Sequence, residues 1–195
     1  MNSLFKIRIA LTVFVFLLAN NTKAHTVSTN NNIWFHYVGK LNFNSKWSVT
    51  LEATKRYTDL GRQPQQWFVR PSVDYALSKQ HTLSLGYTHY KTFSYGQPAM
   101  FYMPVPEDHV WVQINSKVKA GKGQLQLRLR HENRFVGLPQ RSFDSATSTM
   151  QYRISGYEYR MRLRFMFLYT IPVLHRQDKP LLSLIAGDEA FFNLG

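Results

Sequence analysis

From Tyr157 to Tyr169 every second residue is aromatic or aliphatic: Tyr157, Tyr159, Met161, Leu163, Phe165, Phe167 and Tyr169. Between them stand Glu158, Arg160, Arg162 and Arg164, followed by Met166 and Leu168. A helix, with a period of 3.6, would scatter the two sets around its circumference, whereas a strand places them on opposite faces. The same alternation recurs upstream. Leu125, Leu127 and Leu129 alternate with Gln124, Gln126, Arg128, Arg130, Glu132 and Arg134. Trp67, Val69, Pro71, Val73, Tyr75 and Leu77 alternate with Phe68, Arg70, Ser72, Asp74 and Ala76. Trp47, Val49, Leu51 and Ala53 alternate with Ser48, Thr50, Glu52, Thr54 and Arg56.

Read this way, the chain has strands at 33–43, 46–57, 66–77, 81–92, 108–119, 123–136, 157–171 and 181–193. Their length matters as much as their pattern. A strand of about eleven residues rises about 36 Å and, tilted by about 45°, spans about 25 Å, the height of a membrane barrel's apolar band. Strands of soluble proteins usually have about five or six residues. Tight turns are predicted at 44–45, 78–80 and 120–122, long loops at 58–65, 93–107 and 137–156, and an intermediate turn at 172–180. Short turns at one rim and long loops at the other are the pattern of outer-membrane barrels. One conflict stands: a first strand that starts from the periplasm would put the short turns outside. The predicted fold is therefore all-β, an antiparallel up-and-down transmembrane β-barrel with about eight strands.

The N-terminus supports export. Lys6 and Arg8 precede an apolar run from Ile9 to Leu18, and Thr22-Lys23-Ala24 offers a small-x-small cleavage site. The run is about half the length of a membrane-spanning helix. Residues 1–24 are thus predicted to be a signal peptide and 25–195 the barrel domain, exported through the secretory pathway. Cleavage would remove Lys6, Arg8 and Lys23 and no acid, lowering the formal charge from +13 to +10. Such a basic balance invites a nucleic-acid reading, but export and the confinement of charge to one strand face argue against nucleic acid as a partner. The expected partners are outer-membrane lipid and the barrel-assembly machinery that inserts such proteins. The chain has no cysteine, which excludes disulfides and a lipoprotein anchor. Aromatic residues make up 15% of it, as expected of strands apolar on one face and ringed at the interfaces. Trp34, Trp47, Trp67, Tyr57, Tyr75, Tyr87, Tyr157 and Tyr169 stand near predicted strand ends and are read as outward interfacial aromatics.

One strand face carries Glu52, Arg56, Arg70, Asp74, Arg128, Arg130, Glu132, Arg134, Glu158, Arg160, Arg162, Arg164 and Glu189. Facing lipid, each mid-depth arginine would cost about 2–4 kcal/mol, so in a membrane barrel these residues form a lumen charge network. Neighbouring arginine rows repel unless acids interleave or an anion binds. The sequence therefore leaves two uses for that face: a salt-bridged filling that fixes strand register, or an anion-attracting interior, since eight arginines stand against five acids. Catalytic signals are weak. No H-E-x-x-H or G-x-S-x-G motif occurs and no metal-spaced pair is found. The cluster Glu107-Asp108-His109 at a strand start reads as a solvated rim. No catalytic residue, metal or cofactor is expected, and the chain is read as a non-enzyme.

Several segments together resemble a known family: W-S-V-T-L-E-A-T-K-R-Y at 47–57, Q-W-F-V-R-P-S-V-D-Y-A-L at 66–77, L-S-L-G-Y-T-H-Y at 83–90, E-D-H-V-W-V-Q at 107–113, L-R-L-R-H-E-N-R-F at 127–135, Y-R-M-R-L-R-F at 159–165 and G-D-E-A-F-F-N-L-G at 187–195. With the early Trp34 strand, their order and spacing are similar to the uncharacterised bacterial family known as domain of unknown function 2490. The resemblance implies a barrel in the outer membrane of a Gram-negative bacterium and carries no activity with it. It also implies that the barrel continues beyond the last strand here, to ten or twelve strands. Three functions follow as expectations: an outer-membrane barrel serving envelope structure or passage of a small solute or anion, a lipid-modifying enzyme of that membrane, or a soluble periplasmic lipocalin-like barrel. The last needs the same alternation turned inside out.

Overall fold

A computed structural model describes residues 31–96, 99, 101–176 and 179–194. The predicted signal peptide lies outside them. Among the described residues eight strands run in chain order: β1 (Ile33–Asn42), β2 (Trp47–Thr58), β3 (Gln63–Ala76), β4 (His81–Thr92), β5 (Val105–Ala120), β6 (Gly123–Asp144), β7 (Thr149–Arg176) and β8 (Lys179–Leu194). Each pairs antiparallel with the next in one sheet of order β1-β2-β3-β4-β5-β6-β7-β8, which curls into a half-barrel with β1 and β8 at its edges. The up-and-down topology and the eight strand positions are as predicted from the alternation.

Local chemistry sets the turns. Asn44 Oδ1 accepts from the amides of Lys46 and Trp47, both at 2.8 Å, and closes the β1–β2 hairpin. Ser78 Oγ accepts in the same way from Gln80 and His81, both at 3.1 Å, between β3 and β4. Gly121 holds a positive φ of 58° in the two-residue turn between β5 and β6.

The predicted long loops need correction. Residues 58–65 are not a loop: a 3-10 turn at Asp59–Gly61 joins β2 directly to β3. Nor is 137–156 a loop. β6 and β7 continue through it as a regular hairpin in register from Pro139↔Ile154 to Asp144↔Thr149. Gly137 and Pro139, which read as loop residues, sit at a register shift that absorbs the missing donor. Likewise β7 continues to Arg176 through the shift at Pro172. Pro71 is housed differently: it pairs with Leu51 of β2, while the ladder to β4 skips from Val69 to Ser72, so no bond is asked of the nitrogen that lacks a proton.

Burial runs opposite to the rule for soluble domains. The concave face is lined by polar groups: Thr88 and Glu132 are fully buried, and Arg130 is 4% exposed. On the convex face Leu85 is 57%, Leu129 47% and Val73 46% exposed. Among the described residues the buried apolar side chains are Phe68, Val105 and Trp111, and the register places all three on the concave side with the arginines.

Candidate functional site: the concave charge network

The register alone decides who meets on the concave face. Glu52 pairs with Arg70 and Ser48 with Asp74; Asn115 pairs with Arg128, Gln113 with Arg130, Trp111 with Glu132 and His109 with Arg134. Across β6–β7 the pairs are Arg130↔Arg164, Glu132↔Arg162, Arg134↔Arg160 and Val136↔Glu158, and Met166 then pairs with Glu189. Together with Arg56, in line with Glu52 on β2, all thirteen residues singled out from the sequence lie on this one face. Curvature then brings residues from distant strands together. A cavity of about 200 Å³ is lined by Arg56 of β2 as well as Arg162 of β7, five strands apart, which a flat sheet would hold more than ~20 Å apart.

Glu132 is the hub. Its carboxylate accepts from Arg162 Nε at 2.7 Å and Arg164 Nη1 at 3.0 Å, and Arg130 Nη1 lies 3.6 Å away. Arg164 reaches on to Glu189 with a second bond at 2.9 Å from Nη2, and Arg128 donates to the same carboxylate at 2.8 Å across the intervening strand. The predicted repulsion between arginine rows is thereby relieved: the directly opposed Arg130 and Arg164 share Glu132. A second cluster joins Glu52 and Arg70 at 2.8 Å, with Arg70 Nε also donating to Thr88 at 3.0 Å. A third joins Arg134 to Glu107 at 2.5 Å, and Arg160 pairs with Glu158 at 2.6 Å. Asp74 accepts from Thr50 at 2.6 Å and faces Lys40 at 3.7 Å. Arg56 has no carboxylate within 4.0 Å among the described residues; its guanidinium lies 4.5 Å over the Trp34 ring and 5.9 Å from Phe68.

Two readings of individual residues are corrected here. Trp34 is not an outward interfacial aromatic. It pairs with Arg56 and shares the concave face, because its parity matches His36 and Lys40 rather than Phe35 and Tyr37. The Glu107-Asp108-His109 cluster is not a solvated rim. Alternation splits it: Glu107 and His109 turn inward, where His109 is 2% exposed with Nε2 2.6 Å from Glu107 Oε1. Asp108 turns outward and bonds His89 Nδ1 at 2.7 Å and the Tyr87 hydroxyl. The other aromatics read as outward keep that face, and Trp47 and Tyr75 pack at 4.7 Å between ring centres.

Sequence reasoning missed the aromatic part of the network. Arg130 stacks on Trp111 at 4.3 Å, Arg70 on Phe68 at 4.6 Å, and Arg164 on Phe191 at 5.0 Å. Trp111 also donates from Nε1 to Thr88 at 2.9 Å. Their parity was the available signal: Phe68 lies two residues from Arg70, and Trp111 two from Gln113.

Residues 31–195 match the sequence profile described as protein of unknown function (DUF2490). The chain belongs to the DUF2490 family. The match covers every described strand, so the half-barrel and its charged concavity are built from DUF2490 sequence throughout. Neither the curated proteins nor the solved structures contain a match.

Proposed function

We propose that this DUF2490 chain forms the wall of an outer-membrane β-barrel in a Gram-negative bacterium. Its convex face lies against acyl chains, and its concave face is a salt-bridged interior that fixes strand register. One observation carries the reading: leucines and valines are exposed on the convex side while arginine and glutamate are buried on the concave side. A contiguous apolar exterior of this extent is costly in water and is what a hydrocarbon environment rewards. The dimensions agree. Trp47 and Tyr57 stand at opposite ends of β2 on the convex face; the ten residue steps from one to the other amount to about 33 Å, or about 23 Å in height at 45° tilt. Two groups of polar convex side chains satisfy one another: Asp108 is bonded by His89 and Tyr87, and Tyr159 donates to Asn133 at 2.7 Å.

The dense pairing favours a structural interior over an open channel. Of the eight arginines in the network, all except Arg56 have a carboxylate within 4.0 Å. The lipocalin-like alternative wants an apolar concavity and a charged exterior, the reverse of the arrangement described. The role is non-enzymatic on this reading, with outer-membrane lipid as the contacting partner and the barrel-assembly machinery as the route of insertion. Cell fractionation and gel migration test it. The expected result is recovery in the outer-membrane fraction with a faster-migrating form that disappears on boiling. Recovery as a soluble periplasmic protein would overturn it.

A further inference from the structure

Toward the short-turn rim the concave face opens into a second cavity, of about 410 Å³, walled by residues from β1 to β6. Its volume falls within the range of small-molecule sites. Five of the lining side chains are cationic and two are anionic. Both acids are already engaged, Asp74 by Lys40 at 3.7 Å and Glu52 by Arg70 at 2.8 Å. That leaves Lys79, Lys117 and Arg130. Neither lysine has a carboxylate within 4.0 Å among the described residues. Arg130 has only a distant share of Glu132, at 3.6 Å, and that carboxylate is bonded by two other arginines.

Arg130 is also pinned. It is 4% exposed, its Nε donates to Gln113 at 2.8 Å, and its guanidinium lies over Trp111. It cannot swing to a carboxylate elsewhere without abandoning both, and its Nη1 has no hydrogen-bond acceptor. On the same wall the buried Oδ1 of Asn115 has no donor. A buried donor and a buried acceptor without partners are rare and call for an explanation. Here both line one cavity that carries a surplus of three positive charges.

We propose that this cavity binds a small hydrophilic polyanion, a compound with two or three carboxylate or phosphate groups and a hydroxyl. Its anionic groups sit against Arg130, Lys117 and Lys79, and its hydroxyl donates to Asn115. The site deepens the barrel reading by giving the interior a ligand class. It depends on that reading only for the compartment that supplies the anion.

The test is calorimetric titration of the full chain, folded in detergent micelles, with citrate and with inorganic pyrophosphate. Saturable binding of at least one is expected, with the preferred probe assigning the carboxylate or the phosphate source. The double substitution Lys79→Gln with Lys117→Gln is expected to weaken binding at least tenfold. Lys55→Gln with Lys91→Gln, on the convex face, is expected to leave it unchanged. Arg130→Gln should abolish binding, but it also removes a packed side chain, so the lysine pair carries the test. Absence of saturable binding, or equal weakening by the convex pair, overturns the site. Gel migration of the same samples separates the two readings. A heat-modifiable protein that binds neither anion refutes the site alone; anion binding by a chain that fractionates as soluble refutes the membrane reading alone.

Discussion

Glu132 shows what a single residue contributes when its surroundings are fixed by register. It is fully buried and placed among three arginines, Arg130 of its own strand β6 and Arg162 and Arg164 of β7. Removing one partner from a buried ion cluster costs about 3–5 kcal/mol, because the remaining charges stay desolvated and unmatched. Glu132→Ala is therefore expected to lower the unfolding free energy by that amount, read as a fall in the urea midpoint at unchanged slope, whereas Glu158→Ala, an exposed partner of Arg160, should change it little. Gly86 offers a steric counterpart. It pairs with Trp111, and a methyl group there would run into the indole. Trp111 is held by Arg130 of β6 and by its bond to Thr88 of β4. Gly86→Ala should thus destabilise by about 1–3 kcal/mol, read from the same denaturation curve. All thirteen charged residues were legible as one face because parity survives any error in strand ends. Trp34 and His109 were misread because a position near a strand end was weighed above parity. The unpaired state of Arg56 and the distant share of Glu132 left to Arg130 were not legible at all, since they depend on which carboxylates curvature brings within reach.

At the scale of elements, strand existence was legible and strand length was not. Gly137 and Pro139 interrupt the alternation that ends at Arg134 and read as loop, yet the hairpin resumes after one register shift and runs on to its tip at Asp144 and Thr149. Ordered pairing there rests on side chains that lack strong periodicity. At the tip the Thr147 side chain and the Ala146 amide hold the Asp144 carboxyl below the usual carboxylate range. The folded value is the lower one, so this small stabilisation is present at neutral pH and is lost as pH falls through it. An NMR titration should find Asp144 below the model-peptide value of about 3.9. The protruding hairpin also holds Tyr102, in the connection between β4 and β5. Tyr102 donates to the Pro139 carbonyl at 2.5 Å and stacks on Tyr152 at 5.6 Å. Tyr102→Ala is expected to speed limited proteolysis within 93–104 while leaving the urea midpoint unchanged. Equal proteolysis in variant and parent would show that the loop is ordered by other contacts.

For the whole molecule, the membrane reading makes its sharpest demand at the two edges. Among the described residues β1 and β8 each pair on one side only, with ten and sixteen residues respectively, and both present large apolar side chains, among them Phe35 and Ile185. In water an open edge is tolerable because solvent satisfies its amides. In hydrocarbon each unpaired backbone group costs several kcal/mol, so an open edge of this length is not a stable state of an inserted sheet. If the sheet lies in the bilayer, both edges must be paired there, whatever supplies the pairing strands. Backbone amides of β1 and β8 should then exchange with deuterium about as slowly as those of the central β3 and β4 when the protein is inserted. After extraction and unfolding in urea all four strands should lose that protection together. An inserted protein with slow exchange in β3 and β4 but solvent-rate exchange along the full length of both edges would place those edges in water. The apolar convex face would then need a covering other than lipid.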